Sequence, residues 1–438
     1  MNYPVWEIPQ LGGGMLIGMV AIFHVFISHF AVGGGLFLVL TERKAYRERN
    51  DVLLAYVKSH SKFFALLTLV FGALSGVGIW FSIGLVSPPG TSALIHLFVW
   101  GWAAEWVFFL VEITAALLYY TTWDRLDRRT HEAIGWIYAL SAWMSLVIIN
   151  GILSFMLTPG GWLEDGSILS AFFNPSYLPS LIIRTLVCLA LAGLYAMGTA
   201  SLLKQQDLRE NLIRYSARWL MPAFLLLPFA GAWYVASIPP LARQISMGGA
   251  AAVTLFAVGS VAFSILLFVF AYLLAYRHPR GFSPALAALF LVLGLMTTGV
   301  TEWVREAVRK PYLIYGYMYS NGMRAKDLQA MPTGESLLAA SKWSHLKTVP
   351  SGQEPAAGHE VFRIQCAACH TLRGYNGIAL LVDGWDEDLL ADQIQHLDML
   401  KGFMPPFKGS NPERLALAKY LFNLEKRSPV STTLEVKP

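Results

Sequence analysis

The stretch Gln365-Cys366-Ala367-Ala368-Cys369-His370 organises this chain, because it carries two cysteines and a histidine at a fixed spacing. Two thiols three residues apart can each add to a vinyl group of one haem, and the adjacent imidazole then falls beneath the iron as an axial ligand. The chain has only 3 cysteines, so a zinc knuckle or a redox dithiol would need partners that the sequence does not supply. The stretch therefore predicts one covalent haem c, bound by Cys366, Cys369 and His370.

The residues around this stretch predict a small α-helical domain over residues 356–427. A short helix leads into the stretch, and Asn411-Pro412-Glu413 has the start signal of a closing helix. Between them lies Gly402-Phe403-Met404-Pro405-Pro406. This order resembles the class I cytochromes c, and the resemblance implies that Met404 is the second axial ligand, with Met399 and His396 as competitors.

The rest of the chain has the composition of a membrane protein, with 55% hydrophobic and 14% charged residues in the whole sequence. Apolar runs long enough to cross a bilayer predict an all-α, polytopic bundle of about eight spans ahead of the cytochrome c domain. The predicted spans are 15–40, 63–86, 94–122, 133–157, 178–203, 217–237, 250–276 and 284–303. Residues 1–311 would form the transmembrane haem domain, and residues 312–355 a polar connector.

Lysines and arginines are distributed unevenly between alternate loops, which predicts the orientation of the bundle. Fifteen lie in the first, third, fifth and seventh loops, and the intervening loops carry Arg243 alone. The four basic loops are therefore expected in the cytoplasm and both termini outside. Covalent haem attachment occurs outside the cytoplasmic membrane, so it requires the same side for the cytochrome c domain.

Polar side chains inside the predicted spans need a reason, because a charged group in hydrocarbon is costly. Glu105 and Glu112 are seven residues apart, so they share one face of the third span. His24 and His29 are five apart and point in directions that differ by about 140°. His60 and His131 fall at predicted cytoplasmic helix ends, where solvation is expected.

Several motifs of the membrane part resemble subunit I of the cytochrome bd quinol oxidases, in the same order along the chain. They are Phe23-His24-Val25-Phe26, Gly72-Ala73-Leu74-Ser75-Gly76, Glu105 to Glu112, Trp123-Asp124-Arg125-Leu126, Asn150-Gly151, Asn174-Pro175 and Glu306-Ala307-Val308-Arg309-Lys310-Pro311. The resemblance implies one or more non-covalent haems b, with His24 as an axial ligand beside the oxygen site. It also implies that Glu306 ligates a second, high-spin haem, with Arg309 of the same run as a further candidate for haem binding. Glu105 and Glu112 would serve the oxygen site and its protons.

The sequence departs from that family at several positions. Arg184 aligns where the family has the histidine of its low-spin haem, and a guanidinium cannot ligate iron. The external segment that binds quinol in the family is here only Pro239 to Gly248, and the acidic pair is one residue closer. His29, absent from the family pattern, is an additional candidate ligand.

The sequence as a whole predicts a haem-dependent oxidoreductase component of a respiratory chain in the bacterial inner membrane. It would pass electrons between haems b and a periplasmic haem c, with the quinol-to-cytochrome direction slightly favoured because the acidic pair is rearranged. A bd-like terminal oxidase fed through haem c, or a haem c-bearing anchor subunit, are the alternatives. The expected partners are membrane lipid, quinol, and periplasmic cytochromes or other redox subunits of a hetero-oligomeric membrane complex, and the modest net charge of +5 indicates no nucleic-acid partner.

Overall fold

The structure is a computed structural model that describes residues 5–332 and 334–426. In this part of the chain, eight helical segments are long and apolar enough to cross a membrane. The segments are Gly12–Arg47, Asp51–Val86, Val99–Thr121, Arg128–Phe155, Tyr177–Ala200, Gln206–Ser237, Ala251–Arg277 and Pro284–Ala307. The predicted all-α bundle of eight spans is therefore confirmed.

The helices of the membrane part are numbered in chain order. They are α1 (Gly12–Arg47), α2 (Asp51–Leu66), α3 (Ala73–Val86), α4 (Pro88–Leu97), α5 (Val99–Thr121), α6 (Arg128–Phe155), α7 (Trp162–Asp165), α8 (Ile168–Phe172), α9 (Tyr177–Ala200), α10 (Gln206–Ser237), α11 (Pro240–Gln244), α12 (Ala251–Phe270) and α13 (Pro284–Ala307). Short π-helical turns at Leu67–Gly72, Ile245–Gly249 and Ala271–Arg277 interrupt or extend them, and a 3-10 turn forms Pro279–Gly281.

The C-terminal part adds one antiparallel pair of strands and seven helices. They are β1 (Tyr312–Ile314), β2 (Met318–Tyr319), α14 (Ala325–Ala330), α15 (Leu337–Ala340), α16 (Glu354–Gln365), α17 (Ile378–Leu381), α18 (Glu387–Gln395), α19 (Leu397–Leu400) and α20 (Asn411–Lys426).

The described residues form two compact units. The larger unit contains Gly18–Trp80 and Leu94–Val308. Its core is built around the aromatic rings of α1, where Phe30 and Phe37 are fully buried, and around α9, where Ala192 and Met197 have no exposed surface. In contrast, Leu255 of α12 is 70% exposed, as expected for a helix that faces lipid.

The smaller unit combines the described parts of Met1–Ile17, Phe81–Ala93 and Arg309–Pro438. Its core contains Val361 and Phe362 of α16 together with Leu417 and Leu421 of α20. The stretch predicted as a connector, 312–355, also contributes to this core through Met323, Leu328, Leu337 and Leu338. The connector therefore packs on the cytochrome-like helices, and residue 427, the predicted end of that domain, lies outside the described residues.

The expectation that His60 and His131 are solvated is wrong, since both side chains are buried. Each lies between helices that continue beyond the apolar run used to place it. His60 Nδ1 is 2.8 Å from the Thr199 hydroxyl, and His131 Nδ1 is 2.8 Å from a carboxylate oxygen of Glu42. Tyr119 donates to the other oxygen of Glu42 at 2.7 Å, so a hydrogen-bonded cluster connects α1, α5 and α6 at this end.

Candidate haem-binding sites

The Cys-x-x-Cys-His stretch follows directly after α16. Pro355 occupies the first turn of this helix, a position that its missing N–H suits. The helix ends at Gln365 and is capped by Cys366, whose N–H donates to the Phe362 carbonyl at 2.8 Å. The His370 N–H then donates to the Cys366 carbonyl at 2.9 Å. Both thiols, Cys366 and Cys369, are free and half-buried. One compact turn thus presents the two thiols and the imidazole that a covalent haem requires.

The His370 ring is held in one tautomer by its own loop. Its Nδ1 is 3.2 Å from the carbonyl oxygen of Asn376, so this nitrogen carries the proton and donates it. The Asn376 amide in turn donates to the Cys369 carbonyl at 2.8 Å. Burial lowers the pKa of His370 below its ordinary value, which keeps the imidazole neutral. Nε2 therefore keeps the lone pair that would bind iron. The two thiols and this imidazole together fit a haem c.

The three candidates for the second axial ligand differ in exposure. Met404 is half-buried, whereas Met399 is 81% exposed. His396 is exposed, with its Nδ1 3.0 Å from the Asp392 carbonyl oxygen. Among the described residues, no group of three or more histidine, cysteine or acidic side chains is arranged to hold a metal ion, as a zinc site would need. The burial pattern favours Met404.

His24, in the larger unit, is oriented by a partner on another helix. Its Nδ1 is 3.1 Å from the Ser75 hydroxyl, and that hydroxyl donates to the Phe71 carbonyl at 2.6 Å. The serine proton is used on the backbone, so the Nδ1 proton is donated to Ser75 and Nε2 keeps its lone pair. The π-helical turn Leu67–Gly72 precedes this contact, and a Cβ at Gly76 would lie 3.2 Å from His24 Cε1. The arrangement fits an axial haem ligand.

His29 is surrounded differently, although it lies on the same helix. Its Nδ1 is 2.9 Å from the Val25 carbonyl, and its Nε2 is 3.4 Å from a guanidinium nitrogen of Arg184. Arg184 also lies 3.9 Å from the carboxylate of Glu302, which accepts from Arg305 at 2.8 Å. Both nitrogens of His29 are thus occupied in a buried cluster of charged groups, so the geometry favours His24 over His29 as the ligand.

The acidic pair on α5 faces α6 at two levels. Glu105 accepts from the Ser145 hydroxyl at 2.9 Å, and Glu112 lies 3.1 Å from the Tyr138 hydroxyl. The single proton of Tyr138 also has the Ala31 carbonyl within reach, at 3.0 Å. The Tyr138 hydroxyl donates to Glu112, so each carboxylate of the pair has a hydroxyl donor on α6. The pair therefore consists of two hydrogen-bonded carboxylates inside the bundle.

The two remaining candidates lie at the end of α13. Glu306 is half-buried in its last turn, within the larger unit. Arg309 is buried and belongs to the smaller unit.

Sequence reasoning missed the residues that position these groups. They are Ser75, Tyr138, Ser145 and Asn376. Ser75 lies in the Gly72-to-Gly76 motif, which assigned it no role of its own, and an isolated polar side chain in an apolar run was the only signal for Tyr138 and Ser145. For Asn376, whose φ is 50°, an Asn-Gly dipeptide was the signal.

Comparison with known proteins gives two matches along the chain. Residues 15–240, more than half of the chain, match the family model described as cytochrome bd terminal oxidase subunit I. Residues 353–421 match the model described as cytochrome C oxidase, cbb3-type, subunit III. The first match contains His24, the acidic pair and Arg184, and the second contains the Cys-x-x-Cys-His stretch and Met404.

A solved structure has a similar fold. The bd oxidase from Geobacillus thermodenitrificans superposes with a TM-score of 0.61 at 14% sequence identity, covering 71% of this chain and 90% of that one. At this identity the likeness concerns the fold alone. No curated protein matches the sequence.

Proposed function

Because the chain belongs to the cytochrome bd terminal oxidase subunit I family, we propose that it is the electron-input subunit of a membrane oxidase fed through haem c. It is a haem-containing membrane protein of electron transfer, with a bd-like bundle and a cytochrome c domain. The proposed reaction combines dioxygen with four electrons from a periplasmic cytochrome and four protons to give two waters. The observation that carries the proposal is that the chain combines residues that fit a haem c with a bd-like bundle whose external segment before α12 is short.

That external segment is compact. α11 and the turn Ile245–Gly249 fill it, and Ala242 and Ile245 are buried against Leu157 and Val308. A guanidinium nitrogen of Arg243 donates to the Ala236 carbonyl at 3.0 Å. A segment of this length and packing supports electron input through haem c, because the family's quinol-binding loop would need a much longer chain.

The residues have separate roles in this proposal. Cys366 and Cys369 would hold the haem c ring, and His370 and Met404 would ligate its iron. In the bundle, His24 is the proposed axial ligand of a haem b, Ser75 fixes its tautomer, and Glu306 is the proposed ligand of a second haem. Bound haems supply one-electron transfer and, at an open iron, binding of oxygen.

The direction of electron flow that we propose differs from the one that the sequence slightly favoured. That preference for outward, quinol-to-cytochrome transfer rested on the closer spacing of Glu105 and Glu112. In the structure both carboxylates still face α6, and each has a hydroxyl partner. Two carboxylates held by hydroxyl donors inside the bundle suit a reaction that consumes protons, so these contacts and the short external segment support the inward direction.

Oxygen uptake by the purified complex, driven by a reduced soluble cytochrome, tests the proposal. Uptake should occur, and Cys366→Ala should abolish it while the haem b content is unchanged. Cys188→Ala is the matched control, because Cys188 is buried in the bundle and should leave uptake intact. Reduction of haem c by a quinol analogue without cytochrome-driven uptake would reverse the direction. Acid-acetone extraction that removes no haem would instead favour an anchor subunit.

We also propose that the cytochrome c domain and both termini lie in the periplasm of the bacterial inner membrane, on the fifteen-to-one distribution of basic residues. Residues 1–4 and 427–438 themselves lie outside the described residues. A reporter active only in the cytoplasm, fused after Pro438, should be silent. Activity of that fusion would contradict this orientation.

A further inference from the structure

The residues ahead of the first membrane helix contact the loop that follows the Cys-x-x-Cys-His stretch. Tyr375 N–H donates to the backbone carbonyl of Gln10 at 2.8 Å. A Cβ at Gly374 would overlap that same carbonyl oxygen, so the close approach requires glycine at this position. Both segments belong to the smaller unit.

The N-terminal segment is also held by other contacts. Trp6 N–H donates to the Leu85 carbonyl at 2.9 Å. The Glu7 carboxylate lies 3.7 Å from Nε of Arg363, on the helix that leads into the haem stretch. Residues 6–10 are therefore anchored on two sides, and the Gln10 carbonyl is presented at a fixed place.

The loop that receives this carbonyl is the one that orients His370. The Thr371 hydroxyl accepts from Gly374 N–H at 2.8 Å and donates to the Tyr375 carbonyl at 2.9 Å. The next residue, Asn376, accepts the Nδ1 proton of His370. Gln10 thus fixes the residue immediately before the one that sets the imidazole.

We propose that residues 6–10 form a positioning segment for haem c, acting through Tyr375 and Asn376 on the axial histidine. The inference rests on the proposed haem c site. A hydrogen bond accepted from Nδ1 raises the basicity of a metal-bound imidazole. A looser loop weakens that bond, makes His370 a poorer donor to ferric iron, and so raises the midpoint potential of haem c.

Two substitutions disturb the contact from opposite sides. Gly374→Ala forces the loop away from Gln10, and Trp6→Pro removes the N–H that anchors the segment, far from the loop. The matched controls are Gln10→Ala, which keeps the backbone carbonyl and changes an exposed side chain, and Trp6→Ala, which keeps the N–H. Haem staining on denaturing gels measures attachment, and a redox titration of the full protein measures the potential.

Both disturbing variants should keep covalent haem and show a raised midpoint potential, while both controls match the unaltered protein. An unchanged or lowered potential in Trp6→Pro overturns the inference, even if Gly374→Ala fails to mature. Absence of covalent haem from the unaltered protein would contradict the proposed haem c site itself, which separates the two failures.

Discussion

Two histidines are proposed as iron ligands, His370 in the smaller unit and His24 in the larger one. Both rings are oriented by a hydrogen bond from Nδ1, but the acceptors come from different parts of the chain. Each has its Nδ1 proton donated to an oxygen, which leaves Nε2 for the metal. The partner of His370 is six residues away on its own loop, whereas Ser75 is on a separate helix, 51 residues from His24. The haem c site is therefore a local feature of the chain, and the bundle site depends on how helices pack.

The largest expected effect breaks the local site. Replacing both thiols, in Cys366→Ala with Cys369→Ala, should abolish the haem-stained band on a denaturing gel, because no thioether bond can then form. Met404→Ala should keep the band and change haem c from low-spin to high-spin in its visible and EPR spectra. A low-spin spectrum in Met404→Ala would transfer the axial role to Met399 or His396.

The next effect breaks the bundle site while leaving the local one intact. His24→Ala should lose a non-covalent haem, measured as haem b per haem c in a pyridine haemochrome assay. His29→Ala is the matched control on the same helix, because its ring nitrogens are already occupied by Val25 and Arg184. Equal loss of haem b in both variants would contradict the assignment of His24 alone.

A smaller effect tests the orienting partner of the bundle histidine. Ser75→Ala should weaken haem b retention roughly 10- to 100-fold, the usual cost of removing a hydrogen bond to a metal-bound histidine. Ser75→Thr keeps a hydroxyl and should retain most of the affinity. Titration of the haem-depleted protein with haemin measures both, and equal affinity of Ser75→Ala and the unaltered protein would exclude an orienting role.

The stability of the smaller unit is expected to depend on pH through a buried carboxylate, Glu413. Burial alone would raise the pKa of Glu413, but the hydrogen bonds it accepts from the N–H groups of Leu337, Leu338 and Ser410 and from the Ser336 hydroxyl hold it below its ordinary value. A carboxylate with a lowered folded-state pKa stabilises the fold fully above its unfolded pKa, and that stability is lost as the pH falls through the folded pKa.

Glu413→Gln should therefore destabilise the smaller unit by about 1–3 kcal/mol at neutral pH, with a difference that shrinks in acid. Denaturant unfolding of the full protein, followed by the visible absorbance of haem c, measures it. Burial raises the pKa of Glu360, but the hydrogen bond and charge of Arg363 outweigh burial and hold that pKa below its ordinary value. Glu360 therefore keeps part of the acid sensitivity in both the unaltered protein and Glu413→Gln. A constant difference across acidic pH would show that the Glu413 charge is not involved.

The smallest effect is expected for an exposed ion pair of the same unit. Arg324 Nε lies 2.8 Å from Asp327, with both side chains about half exposed. Asp327→Asn should change the unfolding free energy by about 0.5 kcal/mol or less, because solvent screens the pair. A change in unfolding free energy as large as that of Glu413→Gln would contradict the expectation that a buried carboxylate contributes more to stability than an exposed one.

The sequence by itself determined the parts of this protein that depend on neighbouring residues. Two thiols and an imidazole must be close in sequence to bind one haem, so Cys366 to His370 can be recognised from the sequence. A helix must stay apolar for about twenty residues to cross a bilayer, so the eight spans can be predicted from the sequence as well. The basic residues of alternate loops can likewise be counted in the sequence, and their distribution predicts the orientation of the bundle.

Only the tertiary structure decided which side chains meet. Nothing near His24 in the chain indicates that Ser75 orients it, and nothing near His29 indicates that Arg184 occupies its Nε2. The burial of His131 beside Glu42, and the contact of Gln10 with Tyr375, are likewise set by packing. A hydrogen-bond partner is chosen by the helices and loops that come together in space, and a single sequence carries that information only through the whole fold.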